Sequence, residues 1–471
     1  MFELHHLTAQ EQWDWLHRGE ITPTELTRHY LDRIERHDAA LGAFVTVTPE
    51  AALARAAHVE SSVRRVAPLW GIPLADKDLE RRAGVRTTFG SRLFATAIAE
   101  ESDEGVRARD AAGAISLGST NTPEFGLSSY TENLVTNPAR NPYDLALGAG
   151  GSSGGAAVAV AAGLLPMAPG SDGGGSIRIP AAATGLVGLK PSRGRIASGA
   201  GFASLAGLVV PGPIARTVGD AAMFLDALVS DHDYHFATGA PTWDGGALLN
   251  AAVRGEGRFE IGVMTTSPWD SRYEIELAPE ATAALELAIN ELGAIGHGLD
   301  AITLEPADSY PEAFRTIWQA SAATIPAEGA QLELLEPLTR WLVERGRAVS
   351  GAELAVALER LVVFERSLIR QLSAFDAVIT PALAMTPRPI GWYDAVDAEH
   401  NFAQQVQYTP FTSMANVSGL PAISLPVHAT AEGLPMGVQL IGKPGGEHTL
   451  LAIGAQLERR LHWQRRHPPQ W

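Results

Sequence analysis

Apolar and polar positions alternate in blocks along the first half of the chain, and these blocks predict short strands and longer helices. Thr22 followed by Pro23 predicts an N-cap and a first helical position, leading into a helix over 24–37. The short apolar run 68–75, set between residues that interrupt regular structure, predicts a strand, and 114–117 predicts a second one. Helical and strand-like segments then alternate to about residue 230, which favours βαβ units.

The second half of the chain changes in character. Residues 231–260 are polar and glycine-rich and predict a long surface loop, 261–265 predicts a strand, and 275–372 is largely helical. Three further apolar runs predict strands before a closing helix from about Glu447; they are 377–380, 422–427 and 436–441. We therefore predict an α/β fold with α/β/α layers around a central mixed, mostly parallel sheet, with helical insertions.

Composition narrows the function classes. The 471 residues are 46% hydrophobic, enough for a large core, and the net charge of −17 argues against a nucleic-acid-binding surface or contact with an anionic membrane. The N-terminus lacks the basic and apolar regions of a signal peptide, and the longest apolar run, about 156–169, is too short to span a bilayer. A cytoplasmic location is expected.

Two residue counts bear on chemistry. There is no cysteine, which excludes disulfides, thiolate nucleophiles and cysteine-ligated zinc. Of the 36 basic residues only three are lysines, namely Lys77, Lys190 and Lys443. A buried lysine can lose its proton and act as a base, whereas arginine stays charged, so each lysine is informative.

Residues 148–188 are rich in glycine, serine and alanine and contain two glycine clusters. A flexible linker is the simplest alternative, but the clusters alternate with apolar, helix-forming sequence. The first cluster also matches the G-x-S-x-G pattern of α/β-hydrolases around Ser152, a match that arises easily in such a stretch. No G-x-G-x-x-G follows a strand here, which argues against dinucleotide binding.

The second cluster places Gly173, Gly174 and Gly175 directly before Ser176. Glycines leave backbone N–H groups unshielded, so that consecutive groups can point at one oxyanion. A tight turn with Ser176 as a helix N-cap would use the same residues. The cluster thus predicts either a turn or a nucleophile with its oxyanion donors.

Several ordered motifs together resemble the amidase signature family. They are GGSSGG from Gly150, DGGGSIRIP from Asp172 and GLVGLKPSRGR from Gly185, preceded by GIPLADKD around Lys77, NTPEF and RNPYD, and followed by TPFT, NVSGLPA and GLPMGVQ. The resemblance covers nearly the whole chain except about 231–375. In detail it is closest to bacterial amidases of the 6-aminohexanoate cyclic dimer hydrolase type.

The resemblance implies one amidase-signature domain over 1–471. Its expected parts are N-terminal helices at about 1–65, a signature core at about 68–230, a helical insertion at about 270–372 and a sheet-completing segment at about 375–471.

The resemblance also implies roles for single residues. Ser176 would be the nucleophile, Ser152 after a cis peptide bond would relay a proton, and Lys77 would be the base. Gly173, Gly174 and Gly175 would bind the oxyanion or substrate. Neither a metal nor a cofactor is implied.

The chemistry requires such a set, because a serine hydroxyl attacks only when a base takes its proton. Lysine can be that base if burial lowers its pKa. The alternative is a surface lysine between two aspartates. We interpret Ser153 as structural and expect Arg178 to pair with a carboxylate such as Asp172.

We therefore predict an amidase that hydrolyses a linear or cyclic amide through a Ser176 acyl-enzyme. One alternative is the glutamine-hydrolysing A subunit of a tRNA-dependent amidotransferase, and another is an inactive binding protein on the same fold. Aromatic residues such as Trp318 and Phe402 favour an apolar substrate. The expected partner is a small-molecule amide. We expect neither a nucleic acid nor a membrane as a partner, and a homodimer is compatible with this interpretation.

Overall fold

The computed structural model describes residues 3–196, 204–229, 240–241 and 246–471, and these ranges form thirteen strands and fifteen α-helices. The strands are β1 Phe44–Val47, β2 Pro73–Lys77, β3 Ile115–Thr120, β4 Arg140–Asn141, β5 Asp144–Gly148, β6 Met167–Asp172, β7 Val187–Lys190, β8 Val210–Ala215, β9 Glu260–Val263, β10 Gly298–Ala301, β11 Ala377–Pro381, β12 Ala422–Ala429 and β13 Pro435–Gly442. The helices are α1 Ala9–Arg18, α2 Pro23–Leu41, α3 Pro49–Ser62, α4 Glu104–Ala111, α5 Gly154–Ala161, α6 Arg178–Ala183, α7 Val218–Val229, α8 Leu248–Arg254, α9 Pro279–Ile295, α10 Tyr310–Ala322, α11 Pro337–Ala348, α12 Gly351–Leu372, α13 Ala398–Tyr408, α14 Ser413–Val417 and α15 Glu447–Leu461.

The largest sheet has eight strands in the order β10-β9-β11-β13-β12-β7-β8-β6. The pairs β10–β9 and β9–β11 are parallel, and the other five neighbouring pairs are antiparallel. The predicted mixed sheet flanked by helices is confirmed, but most of its pairs are antiparallel rather than parallel. One reason is that only residues 430–434 join β12 to β13, and a connection this short allows only an antiparallel hairpin.

Helices cover both faces of this sheet. A Cβ added at Gly188 would meet Ala181 of α6 and the hydroxyl of Ser424, whereas one added at Gly454 of α15 would meet Leu425. Neighbouring residues of a strand point to opposite faces, so α6 and α15 lie on opposite sides of β12. On the side of the sheet opposite α6, the helices α9 and α15 pack against β12 and β13.

A second sheet, in the order β1-β3-β2, contains the strand that carries the Lys77 motif. β2 runs parallel to β3 and lies beside β6, although the two are not paired in one sheet. The carboxyl end of β2 carries Lys77, and Ser171 of β6 lies within hydrogen-bond distance of it.

Most predicted elements are confirmed with shifted boundaries. Thr22 caps α2 through a capping box, with Pro23 in its first turn. The expected loop at 231–260 falls partly on residues 231–239 and 242–245, which lie outside the described residues, and the rest includes helix α8. The helical region 275–372 is interrupted by the short strand β10. In the described part of the chain, no helix is long and apolar enough to cross a membrane.

Candidate active site

Lys77 reaches the site because it ends a strand that is buried along its whole length. The side chain of Asp76 pairs with Arg82 and Arg109 at 2.6 and 2.8 Å. Successive side chains of a strand point to opposite faces, so Lys77 points away from these arginines. It is 1% exposed. The alternative prediction, that Lys77 lies on the surface between two aspartates, is therefore wrong.

The amino group of Lys77 lies among three serine side chains. Its Nζ is 2.8 Å from Ser152 Oγ, 2.9 Å from Ser153 Oγ and 3.1 Å from Ser171 Oγ. The carbonyl oxygen of Ser171 lies 3.4 Å away. Lys77 and Ser152 are thus within the hydrogen-bond reach that proton transfer requires.

Burial governs the charge of this lysine. Desolvation lowers the pKa of Lys77 to about 7, although the carboxylates of Asp172 and Glu80 act in the opposite direction. A lysine with an ordinary pKa would be almost fully protonated at neutral pH. A substantial fraction of Lys77 is therefore neutral and able to accept a proton.

Ser152 and Ser153 stand at the start of α5, and the peptide bond between Gly151 and Ser152 is cis. A Cβ at Gly151 would lie 2.7 Å from the carbonyl group of Tyr130, so only glycine fits at this approach. Ser153 receives a hydrogen bond from Lys77 and lies 3.4 Å from the backbone of Ser171. Its contacts make it a direct neighbour of the lysine.

Ser176 follows β6 and the glycine run, and it remains 8% exposed at the wall of a pocket. Its carbonyl oxygen accepts a hydrogen bond from the Ser153 N–H at 3.1 Å. The two serine loops are therefore joined directly at the backbone. This backbone contact brings the Ser176 loop beside the pair formed by Lys77 and Ser152.

The three glycines before Ser176 are not equivalent. The N–H of Gly175 donates to the carboxylate of Asp172 at 2.7 Å. Within the described residues, the N–H groups of Gly173, Gly174 and Ser176 have no protein acceptor. These three N–H groups are therefore available to a ligand, whereas the Gly175 N–H is already engaged.

A buried ion pair holds this loop in shape. Asp172 and Arg178 are both fully buried and are 2.8 Å apart, as the sequence led us to expect. The Arg178 guanidinium holds the pKa of Asp172 well below its usual range, against the effect of desolvation. Asn416 donates to the Asp172 carboxylate at 2.9 Å, and Gln439 accepts from Arg178 at 2.5 Å.

This network explains three of the motifs in the C-terminal part of the chain. Asn416 and Gln439 come from NVSGLPA and GLPMGVQ, and Thr412 of TPFT donates its hydroxyl to the Gly174 carbonyl at 2.6 Å. Because each partner satisfies part of a buried charge or carbonyl, the pair can stay ionised inside the protein. These motifs pointed to the family, but the sequence did not show that they stabilise the buried ion pair and its loop.

The pocket beside Ser176 has an empty volume of about 520 Å³, including its open mouth. Its lining is mainly aromatic and aliphatic and includes Trp269, Phe314, Trp318 and Phe402. Among the described residues that line it, none has a charged side chain. Sequence reasoning anticipated Trp318 and Phe402 but not Trp269, whose neighbourhood carries no recognisable motif.

One group elsewhere offers three ligand atoms at a spacing suited to a metal ion. It comprises Glu3, His5 and His29. Arg33 lies 3.8 Å from the Glu3 carboxylate, and burial, aided by Arg33, lowers the pKa of His5 to about 2. This nearby positive charge opposes binding of a second cation.

Comparison with known proteins places this geometry in context. The family model named Amidase matches residues 25–451. The chain belongs to the amidase family. Its predicted class, a hydrolase acting on amides, is confirmed at that level.

Relatives in the amidase family cover almost the whole chain. AmiB2, a Mycobacterium bovis protein named as an amidase, is 38% identical over 98% of this chain and 97% of its own. The A subunit of the glutamyl-tRNA(Gln) amidotransferase from Moorella thermoacetica is 35% identical over 99% of both chains. The amidotransferase alternative therefore also has relatives in this family.

The solved structure of 6-aminohexanoate cyclic dimer hydrolase is similar with a TM-score of 0.90, 31% identity and 99% coverage of both chains. A bacterial aryl acylamidase of the amidase signature enzymes is similar with a TM-score of 0.86 and 25% identity, covering 98% of this chain and 97% of that one. The resemblance inferred from the motifs is confirmed.

Proposed function

We propose that this enzyme hydrolyses an uncharged carboxylic acid amide to a carboxylate and ammonia or an amine, through an acyl-enzyme on Ser176. The observation that carries the proposal is the buried Lys77, 2.8 Å from the Ser152 hydroxyl and with a pKa lowered to about 7. A neutral amine in that position is a base, and a charged one is not.

The hydrogen bonds around Lys77 fit its neutral form. A neutral amine has two N–H donors and one lone pair, and its neighbours are three hydroxyls and one carbonyl oxygen. Ser153 Oγ and the Ser171 carbonyl can accept the two N–H bonds, which leaves the lone pair for the Ser152 proton. Lys77 can then receive a proton without losing a partner.

In the first half of the proposed reaction, a proton relay activates Ser176. Ser152 passes its proton to Lys77 and takes the proton of Ser176, whose Oγ forms a bond to the substrate carbonyl carbon. The N–H groups of Gly173, Gly174 and Ser176 donate to the developing oxyanion. The proton then returns through Ser152 to the leaving nitrogen as the C–N bond breaks.

The second half uses the same groups. A water molecule gives its proton to the relay and attacks the acyl carbon of Ser176. The tetrahedral intermediate collapses, the bond to Ser176 Oγ breaks, and the proton returns to Ser176. Atoms and charge balance without a metal or cofactor taking part in these steps.

The lining of the pocket favours a neutral substrate over glutamine. Free glutamine carries an ammonium and a carboxylate, and placing either in an uncharged pocket without a partner costs several kcal/mol. None of the described lining residues has a charged side chain that could form an ion pair with either group. We therefore favour a simple amidase over an amidotransferase component.

A hydrolysis screen over aliphatic, aryl and cyclic amides and glutamine tests the proposal, combined with fluorophosphonate labelling of Ser176. We expect Ser176→Ala to abolish turnover and labelling, and Ser152→Ala to retain slow turnover, because water can partly replace a relay but not a nucleophile. Labelling would also exclude an inactive binding protein. Glutamine as the best substrate, or full labelling of Ser176→Ala, would contradict the proposal.

A further inference from the structure

Ser413 faces the same pocket as Ser176 but belongs to a different part of the chain. It is the first residue of α14 and is 5% exposed. The preceding residue, Thr412, donates its hydroxyl to the Gly174 carbonyl. Ser413 is therefore held in a fixed position beside the glycine run that precedes the nucleophile.

Two buried donors already point at the Ser413 oxygen. Trp269 Nε1 donates to Ser413 Oγ at 3.0 Å, and the Tyr310 hydroxyl donates to it at 2.8 Å. An indole N–H can only donate. A serine hydroxyl has two lone pairs and one proton, so both lone pairs of Ser413 are occupied and its proton needs an acceptor elsewhere.

The opposite direction of the hydrogen bond, from Ser413 to Tyr310, is unfavourable. If Ser413 donated to Tyr310, the tyrosine proton would need another acceptor, and the described residues provide none for this side chain, which is 1% exposed. An unpaired buried donor is destabilising. The proton of Ser413 is therefore directed toward the pocket, where water or substrate can accept it.

Ser128 and Thr409, whose hydroxyls also line the pocket, differ from Ser413 in this respect. Ser128 donates to the carbonyl oxygen of Tyr130 at 2.9 Å, and Thr409 donates to the carbonyl oxygen of Gln405 at 3.0 Å. Their protons are used inside the protein. Ser413 thus provides a hydroxyl proton to a pocket whose other surface is largely apolar.

We propose that Ser413 is a specificity-determining residue that donates a hydrogen bond to the substrate, so that the enzyme prefers uncharged amides carrying a second acceptor oxygen. A ketone, ether or second amide carbonyl in the part of the substrate held by the pocket provides such an oxygen. This inference rests on the proposed function, because it concerns the substrate that Ser176 attacks.

Matched pairs of straight-chain amides test the inference. In one member of each pair a ketone stands at a chosen carbon, and in the other an exocyclic methylene group replaces the ketone oxygen. Moving the ketone along the chain locates the hydroxyl. We expect the wild-type kcat/KM to favour the ketone by about tenfold at one position, the magnitude of a neutral hydrogen bond.

The variants separate this hydroxyl from its neighbours. Ser413→Ala should reduce the ketone preference to about one, whereas the matched control Ser128→Ala should keep it. Tyr310→Phe should also keep it, because the Ser413 proton remains available. If Ser413→Ala does not fold, Ser413→Cys retains the size but has a weak donor, and should lower the preference.

Two outcomes would overturn the inference. They are a wild-type enzyme without a ketone preference at any position, and a preference that persists in folded Ser413→Ala or Ser413→Cys. Failure of the proposed function differs from both, because it would appear as no hydrolysis of either member of any pair and no labelling of Ser176.

Discussion

Two of the three lysines are buried at strand ends, and their surroundings differ. Lys77 ends β2 and Lys190 ends β7, and burial lowers the pKa of each to about 7. Around Lys77 stand three hydroxyls that can exchange protons. For Lys190 the described hydrogen-bond partner is the carbonyl oxygen of Pro191 at 2.9 Å, and Arg178 lowers its pKa further.

A lowered pKa does not set Lys77 apart, because both lysines have it. A base also needs a neighbour that can give up a proton and pass it to the substrate. A carbonyl oxygen has no proton to give, so Lys190 has no comparable relay. Depressed lysine pKa values occur at structural positions too, and the adjacent hydroxyls distinguish the two sites.

The largest expected effect comes from replacing each lysine in turn. Lys77→Arg and Lys77→Met should each lower kcat by about 10²–10⁴-fold, because guanidinium stays protonated and methionine cannot accept a proton. The matched Lys190→Met should stay within about threefold of wild type. Turnover measured alongside circular dichroism tests this, and a folded Lys77→Arg enzyme with near-normal turnover would eliminate Lys77 as the base.

The pH dependence of activity should report Lys77 and not Lys190. Because the neutral form is the base, kcat should fall about tenfold per pH unit below the lowered pKa of about 7 and level off above it. A rate profile of wild type and Lys190→Met should show the same acid limb. A limb that disappears in Lys190→Met would reverse the assignment.

The two lysines should contribute alike to stability. Each is largely neutral in the folded state above pH 7 but charged in the unfolded state up to about pH 10, so the unfolded state binds more protons. The free energy of unfolding should therefore rise with pH in this window, by at most about 1.4 kcal/mol per pH unit for each lysine.

Urea denaturation between pH 7.5 and 9.5 measures this slope. In Lys190→Met and in Lys77→Met the slope should be smaller than in wild type, and by a similar amount. If only Lys77→Met changes the slope, Lys190 is charged in the folded protein and the comparison fails.

The smallest expected effect concerns Glu80. Its carboxylate raises the pKa of Lys77 but is not among the groups that affect Lys190. Glu80→Gln should therefore move the acid limb of the rate profile to lower pH. Glu365→Gln is the matched control, since Glu365 pairs with Arg193 and does not act on Lys77. An unmoved limb in Glu80→Gln would exclude this electrostatic effect.

The sequence by itself determined most secondary-structure elements and the reactive side chains that the protein has. Local patterns fixed the cap at Thr22, the apolar strand candidates and the helices, because capping and side-chain periodicity are properties of neighbouring residues. The rarity of lysine drew attention to Lys77, and the glycine run drew attention to Ser176. The ordered motifs led to the family, which the comparisons confirm.

The tertiary structure decided which strands pair and which hydrogen-bonding groups are already used within the protein. The short connection identifies β12 and β13 as an antiparallel pair, but the other antiparallel neighbours are farther apart along the chain, so local patterns did not predict their pairing. The use of the Gly175 N–H by Asp172, and the place of Ser171 beside Lys77, depend on groups brought together by folding. No local signal marks such contacts.

The same limit applies to the pocket. Trp269, Tyr310 and Ser413 are far apart along the chain, and none of them lies in a spacing that predicts a site. What Ser413 can offer a substrate depends on which neighbours occupy its lone pairs. The sequence determines which atoms are present, but only packing decides which hydrogen bonds are already made inside the protein and which remain available to a ligand.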